Sequence, residues 1–276
     1  MSERVLVVVS EHGFWTEELL KPLDRLTGAG YAVTFVTPTG KVPFPDGASL
    51  DPTYKDPPLG RPVTDATMAA RGKSMDWEGL FRERQNLEDW FGLRPYLSAP
   101  SYLEKLEDYY TSRAEAWKKI NDFVALLMVG GSGPVVDMVN NSRLHDLILG
   151  FYYQGKPIAA ECYAVTCLAF ARELDDRKCI LLGRHVTGHT MEYDYTEGWS
   201  ISVRGEYFSF GGPPFPLEYI LRDAVGPNGA FHGNVGREYS VIVDHPFITS
   251  RSVHESELCG EMVVRTLKDG VRRFGW

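Results

Sequence analysis

Residues 156–170, KPIAAECYAVTCLAF, begin as an apolar run of strand length and continue with the spacing of a helix, and a single cysteine, Cys162, stands at the change. A thiol on a sharp strand-to-helix turn stands clear of the sheet. The amide after it can join a second amide to hold a developing oxyanion. Such a turn needs small neighbours, and Ala159, Ala160 and Ala164 supply them, with Glu161 and Tyr163 as the larger exceptions. The competing reading is a structural cysteine, because free cysteine is among the most buried residue types.

Working outward from this turn, the chain alternates strand and helix. RVLVVVS (4–10) is a β-branched run of the kind buried on both faces, and FWTEELLKPLDRLTGAG (14–30) follows as an amphipathic helix ending in glycines. YAVTFVTP (31–38), FVALLMVGG (123–131) and KPIAAE (156–161) are further strands, the last two each feeding a helix. This order predicts an α/β fold with a mostly parallel sheet sandwiched by helices, and ligands at the ends of the strands. We read residues 1–276 as one domain, with 41–121 as a helical and loop insertion, or cap, within it. The break begins with a Pro- and Gly-rich loop (38–62), followed by two predicted helical segments, MDWEGLFRERQNLEDWFG (75–92) and SYLEKLEDYYTSRAEAWKKI (101–120). Its aromatic residues, Trp77, Phe81, Trp90, Phe91, Tyr96, Tyr102, Tyr109, Tyr110 and Trp117, disfavour disorder. They are read as packing the insertion onto the core, covering the cysteine mouth, or forming a dimer interface.

Composition narrows the classes of function. With 37 acidic against 29 basic residues the net charge is −8, which argues against nucleic acid as a partner. No apolar run approaches the roughly 18 residues needed to cross a bilayer, and the N-terminal sequence enters a strand without a signal-cleavage pattern, so a cytoplasmic protein with no membrane partner is expected. Cys162, Cys167, Cys179 and Cys259 form no C-x-x-C pair and have no zinc spacing, which predicts reduced thiols. His185 and His189 are four apart, but Gly183, Thr187 and Gly188 around them argue strand and turn rather than a metal-binding helix, so no metal is expected. No phosphate-cradling glycine motif is present and no cofactor is expected.

Several further pieces accompany the cysteine turn. GFWTEELLKP (13–22) opens the first helix with Glu18; LLMVGGSGPVVDM (126–138) ends a strand in a glycine pair; LLGRHVTGHTMEYD (181–194) carries His189; FPLEYILRDAVGPNGAF (215–231) and VIVDHPFITSRS (241–252) precede a final helix. In order and spacing these resemble the ThiJ/PfpI superfamily, over nearly the whole chain except the middle of the insertion. TPTGKVPFPDGASLDP (37–52), GRHVTGHT (183–190) and PFPLEYILRDAVG (214–226) look most like its glyoxalase III and holding-chaperone branch. The resemblance implies a flavodoxin-like, glutamine amidotransferase-like fold and a homo-oligomer, commonly a dimer. It implies Cys162 as nucleophile, Glu18 as the carboxylate near its sulfur, Gly131 and Tyr163 as oxyanion donors, Ser132 as a substrate contact and His189 as the base. One position departs from the branch: where its members have a histidine directly after the cysteine, this chain has Tyr163.

The residue types are chemically coherent on their own. A free thiol is mostly protonated at neutral pH and needs a neighbouring base, cation or helix N-terminus to become a nucleophile. An ionised Glu18 would oppose the thiolate, whereas a protonated one can donate a hydrogen bond to it. Three functions follow. One is cofactor-independent conversion of a small electrophilic carbonyl compound, a 2-oxoaldehyde to a 2-hydroxy acid. A second is amidase-like hydrolysis or hydration at a carbon–nitrogen centre. The third is a non-enzymatic chaperone or redox sensor in which Cys162 is oxidised.

Overall fold

The computed structural model describes residues 2–55, 62–191, 199–203, 206–210, 217–234 and 240–276. Part of the Pro- and Gly-rich loop, 56–61, and the ends of three of the quoted motifs, at 192–194 and 214–216, lie outside the described residues. Strand β1 (Arg4–Val8) leads into helix α1 (Thr16–Gly28), strand β2 (Ala32–Thr37) and, after the inserted stretch, strand β4 (Ala125–Met128). Short helix α5 (Pro134–Asp137) and helix α6 (Ser142–Tyr153) connect to β5 (Ile158–Glu161), and α7 (Thr166–Phe170) follows the cysteine turn. Beyond it lie β6 (His185–Val186), a hairpin of β7 (Trp199–Val203) and β8 (Glu206–Phe210), α8 (Leu217–Val225) and β9 (Ala230–Phe231). The chain ends with β10 (Val241–Asp244), β11 (Phe247–Ser250), α9 (Ser256–Asp269) and β12 (Arg273–Phe274).

Within residues 41–121 are α2 (Ala66–Ser74), α3 (Trp77–Leu80), β3 (Gln85–Asn86) and α4 (Tyr102–Lys119). The main sheet runs β12-β10-β11-β5-β4-β1-β2-β3. From β11 to β3 every pairing is parallel, and β10 and β12 add an antiparallel margin. This is the mostly parallel α/β sheet that the strand–helix alternation predicts.

Period-two alternation along β1 sorts its residues between two cores. Val5 and Val7 face a cluster that includes Leu19 and Leu26 of α1 and Met262 and Val263 of α9. Leu6 and Val8 face the other, with Leu147 and Phe151 of α6, Leu168 of α7 and Leu221 of α8. Among the described residues no helix is long and apolar enough to cross a membrane.

The segment 75–92 is not the helix its periodicity predicts. Asp76 caps a single turn, accepting from the Gly79 N–H, and the chain then pairs Gln85 and Asn86 with Val36 and Thr37 as an edge strand before a 3₁₀ turn at Leu87–Asp89. The reason lies in the aromatic residues. Trp77 and Phe81 belong to the core beneath α1, whereas Leu87, Trp90 and Phe91 belong to the core on the opposite face. A straight helix presents one face, so the chain must cross the sheet edge to bury both sets. Arg84 holds the crossing by donating to the carbonyls of Gly40 and Phe81. Helix α2, which falls between the predicted loop and the first predicted helical segment and belongs to neither, is capped by the Asp65 carboxylate accepting from the Met68 N–H.

Phe81 is fully buried, stacks with Trp77 and meets the ring edges of Phe14 and Phe35. Phe81→Ala is expected to cost about 3–5 kcal/mol, as large-to-small core changes do. Tyr96→Ser, at a site 82% exposed, should change stability by no more than about 0.5 kcal/mol. Urea denaturation measures both; a loss below about 1 kcal/mol for Phe81→Ala would show that the insertion is not part of the core.

Candidate active site

Strand β5 ends at Glu161, and Cys162 follows with φ 53°, a left-handed conformation that non-glycine residues rarely adopt and that carries strain. A 3₁₀ turn over Cys162–Val165 then feeds α7. The turn is held by its strand, whose Glu161 is in register with Ser250 of β11 and whose Ala160 is in register with Met128 of β4. Cys162 packs with Tyr163 and Leu217, with Val135 and Ile220 around them, so one side of the sulfur's surroundings is apolar.

The strand β4 ends beside this turn in Gly130 and Gly131, and both positions require glycine. A Cβ on Gly130 would overlap Glu18 Oε2 and lie 2.7 Å from Cys162 Cβ; one on Gly131, whose φ is +94°, would lie 2.5 Å from the Trp15 nitrogen. The close approach brings α1 to the sulfur. The Trp15 N–H donates to the Gly130 carbonyl, and three residues later Glu18 is fully buried against the cysteine turn. A glutamate in the first turn of a helix is ordinarily exposed, where the helix dipole favours it. This one is not.

Burial raises Glu18 from 4.5 to about 8, opposed by its contact with Cys162 and reinforced by Glu17 and Glu255. Glu18 therefore keeps its proton at neutral pH. Burial also pushes the Cys162 thiol well up, with Glu18 adding to the rise, while the backbone N–H groups of Tyr163 and Gly131 act in the opposite direction on the sulfur. Burial is the largest of these effects, so the resting thiol is protonated. On its other side, His189 Nδ1 lies 3.3 Å from Cys162 Sγ.

His189 comes from the segment after β6. The Thr187 N–H donates to Thr249 Oγ1 at 2.9 Å, the Thr187 hydroxyl donates to the His232 carbonyl at 2.6 Å, and the Met191 N–H donates to Glu218 of α8 at 2.9 Å. The histidine is thus fixed from both ends. The Tyr163 ring stacks on the imidazole, with centroids 3.9 Å apart and planes 24° from parallel. His185 diverges from it: its Nδ1 lies 2.9 Å from His232 Nε2, and its ring stacks on Trp276.

Ser132 is buried next to the glycine pair, and its hydroxyl donates to Asp46 Oδ2 at 2.7 Å. The structure thus brings Cys162, Glu18, His189, Gly131 and Tyr163 around one sulfur, with Ser132 beside them. Two residues that the sequence reading did not assign also belong to this neighbourhood. Asp46 ties the start of the insertion to the glycine-rich loop; its other oxygen caps the 3₁₀ turn at Gly47–Leu50, the only sequence signal being an Asp before a Gly. Glu161 is fully buried next to Cys162 in the chain, accepts from Ser250 Oγ at 3.4 Å, and is pushed well above the carboxylate range by burial and by Glu18. Its signal was its size among alanines.

The Glu18 shift has a sign that can be tested. Between about pH 4.5 and 8 the folded chain holds a proton that the unfolded chain has lost, so this group lowers stability as the pH rises through that window. Glu18→Gln removes the effect. Its stability gain over the parent should be small near pH 4.5 and grow towards pH 8, to on the order of 4 kcal/mol at most. Thermal unfolding across this range measures it, and a difference that does not vary with pH would show that Glu18 is not held protonated.

The same architecture occurs in solved structures. The Francisella tularensis Rapid Encystment Protein 24 kDa is similar with a TM-score of 0.65 at 17% identity, over 96% of this chain and 99% of that one. Glyoxalase III from Candida albicans gives 0.63 at 14% identity, over 95% and 96%. Drosophila melanogaster DJ-1beta gives 0.51 at 15% identity, over 97% and 91%. At these identities the likeness establishes the fold. No sequence among curated proteins matches the chain. The family model for ThiJ/PfpI family-like proteins matches residues 9–190, which contain the cysteine turn, the glycine pair, Glu18 and His189, and the chain belongs to that family.

Proposed function

We propose that the protein is a cofactor-independent enzyme whose nucleophile is Cys162, converting a small 2-oxoaldehyde to a 2-hydroxy acid. The observation that carries this reading is the sulfur itself: an imidazole nitrogen 3.3 Å away, a protonated carboxyl against it and two backbone amides directed at it.

In this reading His189 takes the thiol proton as sulfur bonds to the aldehyde carbon. The amides of Gly131 and Tyr163 receive the developing oxyanion, which is then protonated to the hemithioacetal. Removal of the carbon-bound proton and its return to the neighbouring carbon gives a hydroxyacyl thioester. Water cleaves that thioester, releasing the hydroxy acid and the free thiol, so no net oxidation or reduction occurs. Glu18, neutral at rest, donates first and accepts later. Ser132, held by Asp46, is the proposed substrate contact.

A second reading, hydration or hydrolysis at a carbon–nitrogen centre, is favoured by one feature. Tyr163 occupies the place of the histidine in the glyoxalase III branch and stacks on His189.

Purified protein offered methylglyoxal, simple amides and isonitriles separates these readings. Lactate formation that is lost in Cys162→Ser, falls by roughly 10²–10⁴-fold in His189→Ala and changes much less in Tyr163→Phe is the expected result. Turnover of an amide or isonitrile without any of methylglyoxal would replace the first reading with the second. Iodoacetamide at neutral pH should label Cys162 before Cys167, Cys179 and Cys259; equal labelling of all four in the folded chain would remove the nucleophile from either.

A further inference from the structure

Helix α4 carries a stripe that its own packing does not use up. Tyr102, Leu106, Tyr109, Tyr110 and Arg113 recur at the spacing of one helix face. Tyr109 is buried, whereas Tyr110 is 45% exposed. The open part of this face forms one wall of a cavity of about 360 Å³ that is also lined by Arg94, Pro95, Leu174 and Arg177. This volume is at the small end of the range for small-molecule sites.

The charge of this cavity is opposite to that of the chain. Its lining holds three arginines and no carboxylate, in a protein of net charge −8. Arg94 is pinned from behind by the buried Asp146, which also accepts from the Tyr109 hydroxyl. Arg113 and Arg177 have no carboxylate partner among the described residues, although arginines elsewhere, such as Arg25, Arg71 and Arg143, are paired with one. Arg113 lies over three rings, those of Tyr109, Tyr110 and Trp117, at 5.0–5.4 Å. Stacking holds a guanidinium in place while leaving its in-plane N–H donors available. Arg177 has φ 60°, a strained conformation for a residue with a side chain. The carboxylate beside it in sequence, Asp176, is engaged by the Lys178 ammonium at 2.7 Å and its backbone N–H at 2.9 Å, which leaves the Arg177 charge to the cavity.

We propose that this cavity is a binding site for a small anion carried on a flat ring, a nucleoside monophosphate or an aromatic carboxylate, separate from the cysteine site. Arg113 and Arg177 take the anion as guanidinium groups take phosphate or carboxylate, through paired N–H donors. Tyr102 and Tyr110 offer faces on which the ring stacks. The cavity's size sets the limit at one ring system with one anionic group.

The test is calorimetric titration of the full chain with AMP, benzoate, adenosine and inorganic phosphate. AMP and benzoate distinguish the phosphate and carboxylate forms of the ligand; adenosine and phosphate each supply half of it. Saturable binding of AMP or benzoate, weakened tenfold or more by Arg113→Ala and by Arg177→Ala and unchanged in Arg82→Ala and Cys162→Ser, is expected. Arg177 lies in an exposed loop, so its variant reports on binding even if Arg113→Ala disturbs the aromatic stack, and Arg113→Lys, which keeps the charge but loses the fork, should also bind more weakly. The proposal is overturned if neither AMP nor benzoate saturates below about 1 mM, if inorganic phosphate binds as tightly as AMP, or if binding survives both arginine substitutions.

Discussion

A cysteine in left-handed backbone at the end of a buried parallel strand is the constraint around which the rest is arranged. The conformation is costly for any residue with a Cβ, and it persists because the chain on either side has nowhere else to go. Upstream, β5 is locked in register between β4 and β11. Downstream, the 3₁₀ turn passes directly into α7, whose Cys167 and Leu168 are in the core. The neighbouring strand must then end in Gly130 and Gly131, because side chains there would occupy the space of Glu18, Cys162 and Trp15. Removing those side chains is what lets helix α1 deliver a carboxyl to the sulfur. The strained turn, the glycine pair and the buried glutamate are one packing solution rather than three features.

That packing fixes the electrostatics. The sulfur and the Glu18 carboxyl are buried together, so both keep their protons at neutral pH, and Glu161, next to Cys162 in the chain, is shifted in the same direction. Neither the sulfur nor the Glu18 carboxyl carries charge at rest. In the proposed reaction, charge develops as the thiol gives its proton to His189 and attacks, when the amides of Gly131 and Tyr163 have an oxyanion to hold. Dipoles fixed in advance in a dry site act most strongly on charge that develops during reaction.

How much of this could be read from the sequence follows the range of the interactions. Strands such as Arg4–Val8 and Ile158–Glu161 were legible because burial on both faces leaves a continuous apolar run, and helix α4 because its stripe is regular. The segment 75–92 misled because its two aromatic groups are at helical spacing locally yet belong to opposite faces of the sheet, a fact that exists only once the edge strand has formed. The burial of Glu18 was equally invisible: nothing in the first turn of an amphipathic helix distinguishes a solvated glutamate from one pressed against a glycine pair over a hundred residues away. Asp46 was missed for the same reason, since its partner Ser132 is 86 residues distant.

Tyr163 sets the orientation of the imidazole beside it. The resemblance drawn from the sequence implies an imidazole directly after the cysteine. Here a phenol ring takes that position and lies flat on an imidazole supplied from after β6. The stack fixes the plane of the His189 ring, and the anchors at Thr187 and Met191 fix its place along the chain, so that Nδ1 faces the sulfur. The consequence is a division of labour between elements. Cys162 and the amides of Gly131 and Tyr163 are set by β4, β5 and α7, which are core. His189 is set by a segment tied on one side to β11 and on the other to Glu218 of α8, which is itself paired with Arg222. A small displacement of α8 would therefore move His189 and leave Cys162 where it is, so in the proposed reaction the contact between α8 and the His189 segment is where proton transfer would be tuned independently of sulfur attack.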